Sequence, residues 1–476
     1  MKPARPYDAV VVGSGPNGLA AAITLAREGR SVLVLEARPE VGGGMRSDEG
    51  TLPGFVHDVC SAVHPMAVGS PFLRSLPLAQ FGVEWIQPTM PLAHPLDGAQ
   101  AVVLARSVAE TALSLGADAG AYRRLMEPLA MNWEALVAEI LVPAHIPRHP
   151  LLLARFGLGA LRSGRGLAES HFREPAARAL FAGLAAHSMR SLEKPATAAI
   201  GLVLAALGHA VGWPIARGGS QRLADGMAAY FESLGGEIRT GSLVASLKQL
   251  PSSKVVLLDI SPKQWIALAD SRLSSARKHR FEKFRYGPGC YKVDWALRGP
   301  IPWAAAACAM AATVHVGGTL EEISLSEADA DAGRIAKRPF VLVAQPSLFD
   351  PTRAPAGNHT AWAYCHAPNG CTADLLPAIE AQIERFAPGF GDCVLARRVL
   401  SPSQLEAYNP NYVGGDIGGG ANDLTQLFTR PIAQAVPYSA GIPGIYLCSA
   451  STPPGGGVHG MCGHNAARAA LQRELR

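Results

Sequence analysis

The sequence lacks several signatures that would assign a protein of this length. None of its eight cysteines forms a Cys-x-x-Cys pair, and it contains no His-Glu-x-x-His and no Gly-x-Ser-x-Gly. These absences remove the common zinc sites, the metalloprotease helix and the hydrolase nucleophile elbow, so no metal is expected. Charged residues make up only 17%, the net charge is +5, and no long block of Lys or Arg concentrates it, which argues against a nucleic-acid partner. Internal repeats, low-complexity tracts and a signal-peptide pattern are also missing, and unpaired thiols fit a reducing compartment, so a cytoplasmic location is expected.

What is present is an apolar, glycine-rich chain of 476 residues, 48% hydrophobic with 50 glycines. That is too long for one compact core and implies two joined domains. The most apolar stretch, 196–216, contains His209, Trp213 and Pro214 and reads as a core helix.

The densest information lies in residues 8–44. Val10 to Val12 form a short buried strand, and the chain then turns through Gly13-Ser14-Gly15-Pro16-Asn17-Gly18. Gly13 permits the sharp exit, Gly15 lets a pyrophosphate approach the backbone, and Gly18 lets the following helix lie close to the sheet. Leu19 to Arg27 supply that helix, whose free N–H groups and dipole favour an anion. A second strand, 31–35, ends at Glu36, 21 residues after Gly15, where an acid can accept hydrogen bonds from ribose hydroxyls. The fingerprint occurs once, which leaves no separate module for a second nucleotide.

Directly after Glu36-Ala37-Arg38 comes another glycine turn, Val41-Gly42-Gly43-Gly44-Met45-Arg46. This arrangement resembles the extended FAD motif of the family that contains amine oxidases and phytoene desaturases. Near the other end, a strand at 444–450 leads into Ser451-Thr452-Pro453-Pro454-Gly455-Gly456-Gly457-Val458-His459-Gly460-Met461 and an alanine-rich helix, a second anion-favouring helix head. That segment, with Phe55 to Pro65 and Tyr408 to Tyr412, is similar to the phytoene desaturase-like FAD-dependent oxidoreductases. Within them it looks most like the branch related to pyridine nucleotide-disulphide oxidoreductase domain-containing protein 2.

The resemblance covers residues 7–470. It implies an α/β fold with a Rossmann-type FAD-binding domain and a discontinuous α+β substrate domain. Residues 1–75, 216–275 and 431–476 are assigned to the FAD domain, and 76–215 and 276–430 to the substrate domain, read as a helical insertion plus an antiparallel sheet. It implies FAD held by Gly13, Gly15, Pro16, Asn17, Gly18, Glu36, Ala37, Arg38, Gly43, Gly44, Met45, Ser449, Ala450, Gly456, Gly457, Val458, Gly460 and Met461, with Val244, at the end of a further strand, against the adenine. It also implies hydride transfer between flavin N5 and a C–C bond of an apolar small molecule, in a long cavity.

A desaturation also removes a proton, for which His57, Asp58 and His459 are the candidates, with His64 and His464 behind them. Cys60 and Cys462 could react as thiolates or carry a covalent flavin, but neither has an activating partner in the sequence. Two other readings stay open: an amine or C–N oxidase, and a flavoprotein with structural FAD that binds lipids or partners. For the last, residues 143–165, with Arg among Leu and Phe, could form an interfacial patch giving peripheral membrane contact. The oligomeric state is not legible.

Overall fold

The computed structural model describes residues 7–476. The apolar run at the start forms the middle strand, Tyr7–Val12, of a five-stranded parallel sheet. The order across it is Ile445–Leu447, Ser253–Leu258, Tyr7–Val12, Val32–Leu35, Glu237–Arg239. Ala9, Val10 and Val11 are fully buried, as a strand covered on both faces requires. Helix Pro16–Arg27 lies on one face and packs against the last helix, Met461–Arg473, so the two ends of the described chain meet.

The second sheet has seven strands in the order Val394–Leu400, Gly289–Leu297, His359–Ala367, Val341–Ala344, Ala311–Val316, Met90–Leu96, Gln100–Leu104. All its pairings are antiparallel except that of Ala311–Val316 with Met90–Leu96. One face packs Val293, Trp295, Val314, Val343 and Ala363 against Ile379, Ile383 and Phe386 of helix Leu376–Phe386. The other meets helices Pro175–Ala186 and Leu320–Asp331 through Leu342, Ala344, Trp362 and Tyr364.

Two sequence expectations need correction. The insertion at 76–215 is not helical throughout, because Met90–Leu96 and Gln100–Leu104 form a hairpin on the large sheet. Pro91 and Pro95 deny that run a helix, and Val102-Val103 favours extended chain. The strand expected to end near Val244 is Glu237–Arg239 and stops before Gly241. Val244 lies in the loop beyond it, half-buried against the first sheet. The 196–216 stretch does contain a core helix, Thr197–Ala210. Among the described residues no helix is long and apolar enough to cross a membrane.

Candidate functional site

The glycine turn is built by close approach. A Cβ on Gly18 would lie 2.1 Å from the Gly13 carbonyl oxygen, so only glycine lets the helix start this near the strand. The second glycine turn is tied to the first by Gly42 N–H donating to the Ser14 carbonyl at 3.0 Å. Glu36 closes the group from the end of its strand. Its carboxylate accepts from Ser14 N–H at 2.9 Å and Ser14 Oγ at 2.6 Å, and from Arg38 N–H at 2.9 Å and Arg46 Nη2 at 3.0 Å. All four of its lone-pair positions are therefore used within the protein, and a ribose hydroxyl would have to displace the Ser14 hydroxyl. Ala37 and Arg38 are exposed, with the Arg38 guanidinium over the Tyr408 ring, whereas Met45 is fully buried in the core.

The head of the last helix sits beside this turn. A Cβ on Gly463 would lie 1.8 Å from the Asn17 carbonyl oxygen, which places the first turns of Pro16–Arg27 and Met461–Arg473 in direct contact. Two helix heads side by side combine their positive dipole ends and unpaired backbone donors. Asn17 is buried there with its Oδ1 unpartnered. Ser449 bonds the Ile260 carbonyl, and Ala450 and Gly456 press on the 414–420 loop, which is closely packed. Gly457 lies against Met66 and His459, Val458 is half-buried, and Gly460 touches Ala20. The residues fit a dinucleotide: backbone without side chains, two helix heads and an orphaned buried amide oxygen.

Asp259, which sequence reading passed over, belongs to this cradle. Its Oδ2 accepts the Gly18 N–H at 2.9 Å, and burial pushes its carboxyl up to about 7, with the nearby Glu36 charge adding to the rise. In its protonated form it adds no negative charge where an anion would dock.

The proton-transfer candidates separate on their partners. Asp58 accepts from Ser47 Oγ and Ser220 N–H at 2.7 Å each and pairs with buried Arg353. Burial alone would raise its carboxyl, but Arg353 and these donors outweigh that and hold it low. His459 accepts from Met461 N–H at 3.0 Å and faces the Gly455 carbonyl at 3.1 Å, so both ring nitrogens cap backbone. Asp58 and His459 thus have every polar atom engaged in the scaffold, contrary to their selection as proton carriers. His57 is engaged only through Nε2 with Thr51 at 2.7 Å. Its Nδ1 is unpartnered, 3.7 Å from Asp294, and burial lowers the ring to about 4. His64 bonds Ser220, and His464 bonds Thr24. Burial raises the Cys60 thiol, and pushes that of Cys462 up to about 12, so neither is a thiolate at neutral pH.

The titratable groups that sequence reading missed lie on one face of the large sheet. Lys292 and Asp294 are buried two residues apart on strand Gly289–Leu297 and paired with each other, and Arg398 reaches Asp294 at 3.0 Å. Burial lowers the Lys292 amine despite the neighbouring carboxylate. Across the sheet Tyr364 opposes Lys292 and Trp362 opposes Asp294, with the two rings edge to face at 5.1 Å. His366 Nδ1 meets the Glu327 carboxylate at 2.8 Å while its Nε2 has no partner. His187 and His315 follow with Nε2 atoms 2.9 Å apart. A lysine and an aspartate at alternate positions of an otherwise apolar strand were the available signal.

A five-stranded parallel sheet with paired glycine turns, joined to a mostly antiparallel sheet with one titratable face, is a fold shared with solved oxidoreductases and amine oxidases, and its nucleotide part is Rossmann-type. Residues 11–74 match the model of the NAD(P)-binding Rossmann-like domain. Over its length the chain is similar to pyridine nucleotide-disulfide oxidoreductase domain-containing protein 2 of Rattus norvegicus, at 27% identity with 97% of this chain and 92% of that one covered. It is also similar to phytoene dehydrogenase of Streptomyces griseus, at 26% identity with 81% and 77% covered. Among solved structures, an oxidoreductase from Methanosarcina mazei has a TM-score of 0.63 at 15% identity, covering 98% of this chain and 100% of that one. Wild-type putrescine oxidase bound to putrescine has a TM-score of 0.61 at 17% identity, covering 99% of both. The resemblance read from the motifs thus extends over nearly the whole chain.

Proposed function

We propose that this protein is an FAD-dependent oxidoreductase that exchanges hydride between a substrate carbon and the flavin, as a desaturase or saturase of a C–C bond in an apolar small molecule. The observation that carries the reading is the contact of two helix heads at Asn17 and Gly463, which with the glycine turns supplies one continuous cradle for a dinucleotide. Bound there, FAD would supply a two-electron acceptor for hydride at N5. In this reading 1–75, 216–275 and 431–476 hold the cofactor and the rest encloses the substrate.

The chain's own part is to exclude water and move one proton. Neutral His57, with Nδ1 free beside Asp294, can accept a proton, and the carboxylate would then stabilise the imidazolium. Lys292, paired with the same carboxylate, opposes the imidazolium charge and would return the ring to its neutral form.

The pair Trp362 and Tyr364 favours a second reading, the flavin-dependent amine or C–N oxidase, because aromatic rings suit a cation, as Lys292 Nζ 5.8 Å from the Trp362 ring centre illustrates. One experiment separates the two: photoreduce the flavin without oxygen, admit air and time the return of the oxidised spectrum. Return over many minutes supports the C–C reading and return within seconds the oxidase. A purified protein that neither carries nor takes up flavin would defeat both.

The third proposal concerns location: a cytoplasmic protein with peripheral membrane contact. Helix Pro150–Ala160 and its flanks expose Ile146, Leu151, Leu158 and Leu161 together with Arg148 and Arg155. A groove of about 420 Å³ opens beside them, lined by Arg124, Arg155, Arg162, Leu129 and Leu158. Exposed leucines rimmed by arginines suit an anionic lipid surface. The groove includes no residue of either glycine turn, so it is not the long flavin-reaching cavity that the sequence led us to expect.

A further inference from the structure

Two arginines are almost completely withdrawn from water, Arg353 at 0% and Arg430 at 1% exposure. Arg353 has what a buried cation requires: the Asp58 carboxylate and the Val56 carbonyl. Arg430 has one bond, from Nη2 to the Gly420 carbonyl at 3.2 Å, while Nε and Nη1 have no partner. The carboxylates of Asp416 and Asp423 attract it through space, but neither is hydrogen-bonded to it. Asp416 spends its oxygens on the N–H groups of Gly287, Gly418 and Gly420, at 2.8, 2.8 and 2.9 Å.

A guanidinium stays charged even where burial lowers its pKa, as it does here despite Asp416 and Asp423, and a buried charge without a hydrogen-bonded counter-ion is strongly unfavourable. Such a group signals a missing anionic partner. Its direction is given by Gly455, where a Cβ would lie 2.2 Å from Arg430 Nη1. The Gly455 carbonyl in turn accepts from Cys462 Sγ at 3.3 Å and faces His459 Nε2 at 3.1 Å, two residues that frame the head of the 13-residue helix Met461–Arg473. An unpaired buried cation and a helix N-terminus therefore converge on one glycine loop, two independent sources of positive potential.

We propose that Arg430 is the countercharge for an anionic group of the bound dinucleotide docked at this helix head. That group is either the pyrophosphate or the N1–C2=O edge of the flavin ring, which becomes negative on reduction. The inference rests on the FAD reading above. No step of hydride transfer passes through Arg430; it is a positioning residue that sets affinity or potential.

The test uses the full chain stripped of cofactor. In Arg430→Met the uncompensated charge is gone, so the melting temperature of the apoprotein stays level or rises, while FAD binding weakens by about tenfold or more. Arg430→Lys retains most of the affinity. Sulfite, which adds to flavin N5 and leaves negative charge on the ring, distinguishes the two sources. Weaker FAD binding with unchanged sulfite affinity and midpoint potential marks the pyrophosphate. Weaker sulfite binding with a lower potential marks the ring edge, and either result supports the proposal. If the Met variant does not fold, Arg430→Gln against Arg430→Lys carries the same comparison. The proposal is overturned if the uncharged variants bind FAD and sulfite as the wild type does, or if they only lower the apoprotein melting temperature, as loss of a structural brace would. A wild-type protein that takes up no FAD would remove this inference and the proposed function together, whereas wild-type uptake unaffected by the substitution removes this inference alone.

Discussion

The two faces of the seven-stranded sheet are made by the same strands and are both buried, yet they have opposite chemistry. Along Gly289–Leu297, Tyr291, Val293 and Trp295 turn to the helix Leu376–Phe386, while Cys290, Lys292 and Asp294 turn the other way. The same alternation puts Val314 under and His315 over, and Ala363 under and Tyr364 over. A sheet that needed only stability would bury apolar residues on both faces. The difference shows that stability is invested on one side and polar groups, costly to bury, are retained on the other. That is where substrate chemistry is expected.

The comparison can be tested at positions of graded effect. The largest is Trp295→Ala on the apolar side, which should lower unfolding free energy by about 3–5 kcal/mol through loss of burial and a residual cavity. Flavin uptake measured under native conditions should stay as in wild type, and a loss of uptake in the folded variant would show that the faces are not separable. On the opposite side Lys292→Met should cost less, within about 2 kcal/mol, since Asp294 keeps Arg398 as a partner. It should nevertheless change the pH profile of flavin re-oxidation. An unchanged profile would take Lys292 out of the chemistry.

Of the two faces, acid should affect the polar one. Burial lowers His94 to about 4, His187 to about 3 and His315 far below the ordinary 6.5. Imidazoles held neutral by the fold contribute stability that is complete above pH 6.5 and is lost progressively as pH falls towards the folded values. His187→Gln should therefore flatten the fall in stability between pH 6.5 and 4 by up to about 1.4 kcal/mol per pH unit, one proton's worth. Urea midpoints at several pH values would show it, and parallel curves for the two proteins would contradict it. The smallest expected effect on stability comes from replacing Arg148, Arg155 and Arg162 with Ala, within about 0.5 kcal/mol. Flotation with phosphatidylserine-containing vesicles should be lost in that variant, and equal flotation would place any membrane contact elsewhere.

The nucleotide-binding elements were legible because local physics and sequence pattern agree there. A valine run, a glycine turn, a helix and an acid at the next strand end occupy consecutive positions, and each has only one comfortable conformation. The strands of the large sheet between 289 and 367 could likewise be read from their apolar runs. The titratable face could not, because Lys292, Glu327 and His366 are brought together by pairings between distant segments and no local spacing announces them. For the same reason Asp58 and His459 looked like proton carriers: sequence showed ionisable side chains next to a cofactor motif but not the donors and carbonyls that use them up. Arg430 gave no signal at all, since an arginine at the end of a short helix ordinarily lies in water.

The contact between Asn17 and Gly463 also bears on the order of events in the cell. A chain emerging from the ribosome presents its first glycine turn early, but the second half of the cradle is made more than 400 residues later, and the strand beside Tyr7–Val12 comes from residues 253–258. Until Met461–Arg473 has been made and has docked on Pro16–Arg27, the nascent protein has only one of the two helix heads of its cradle.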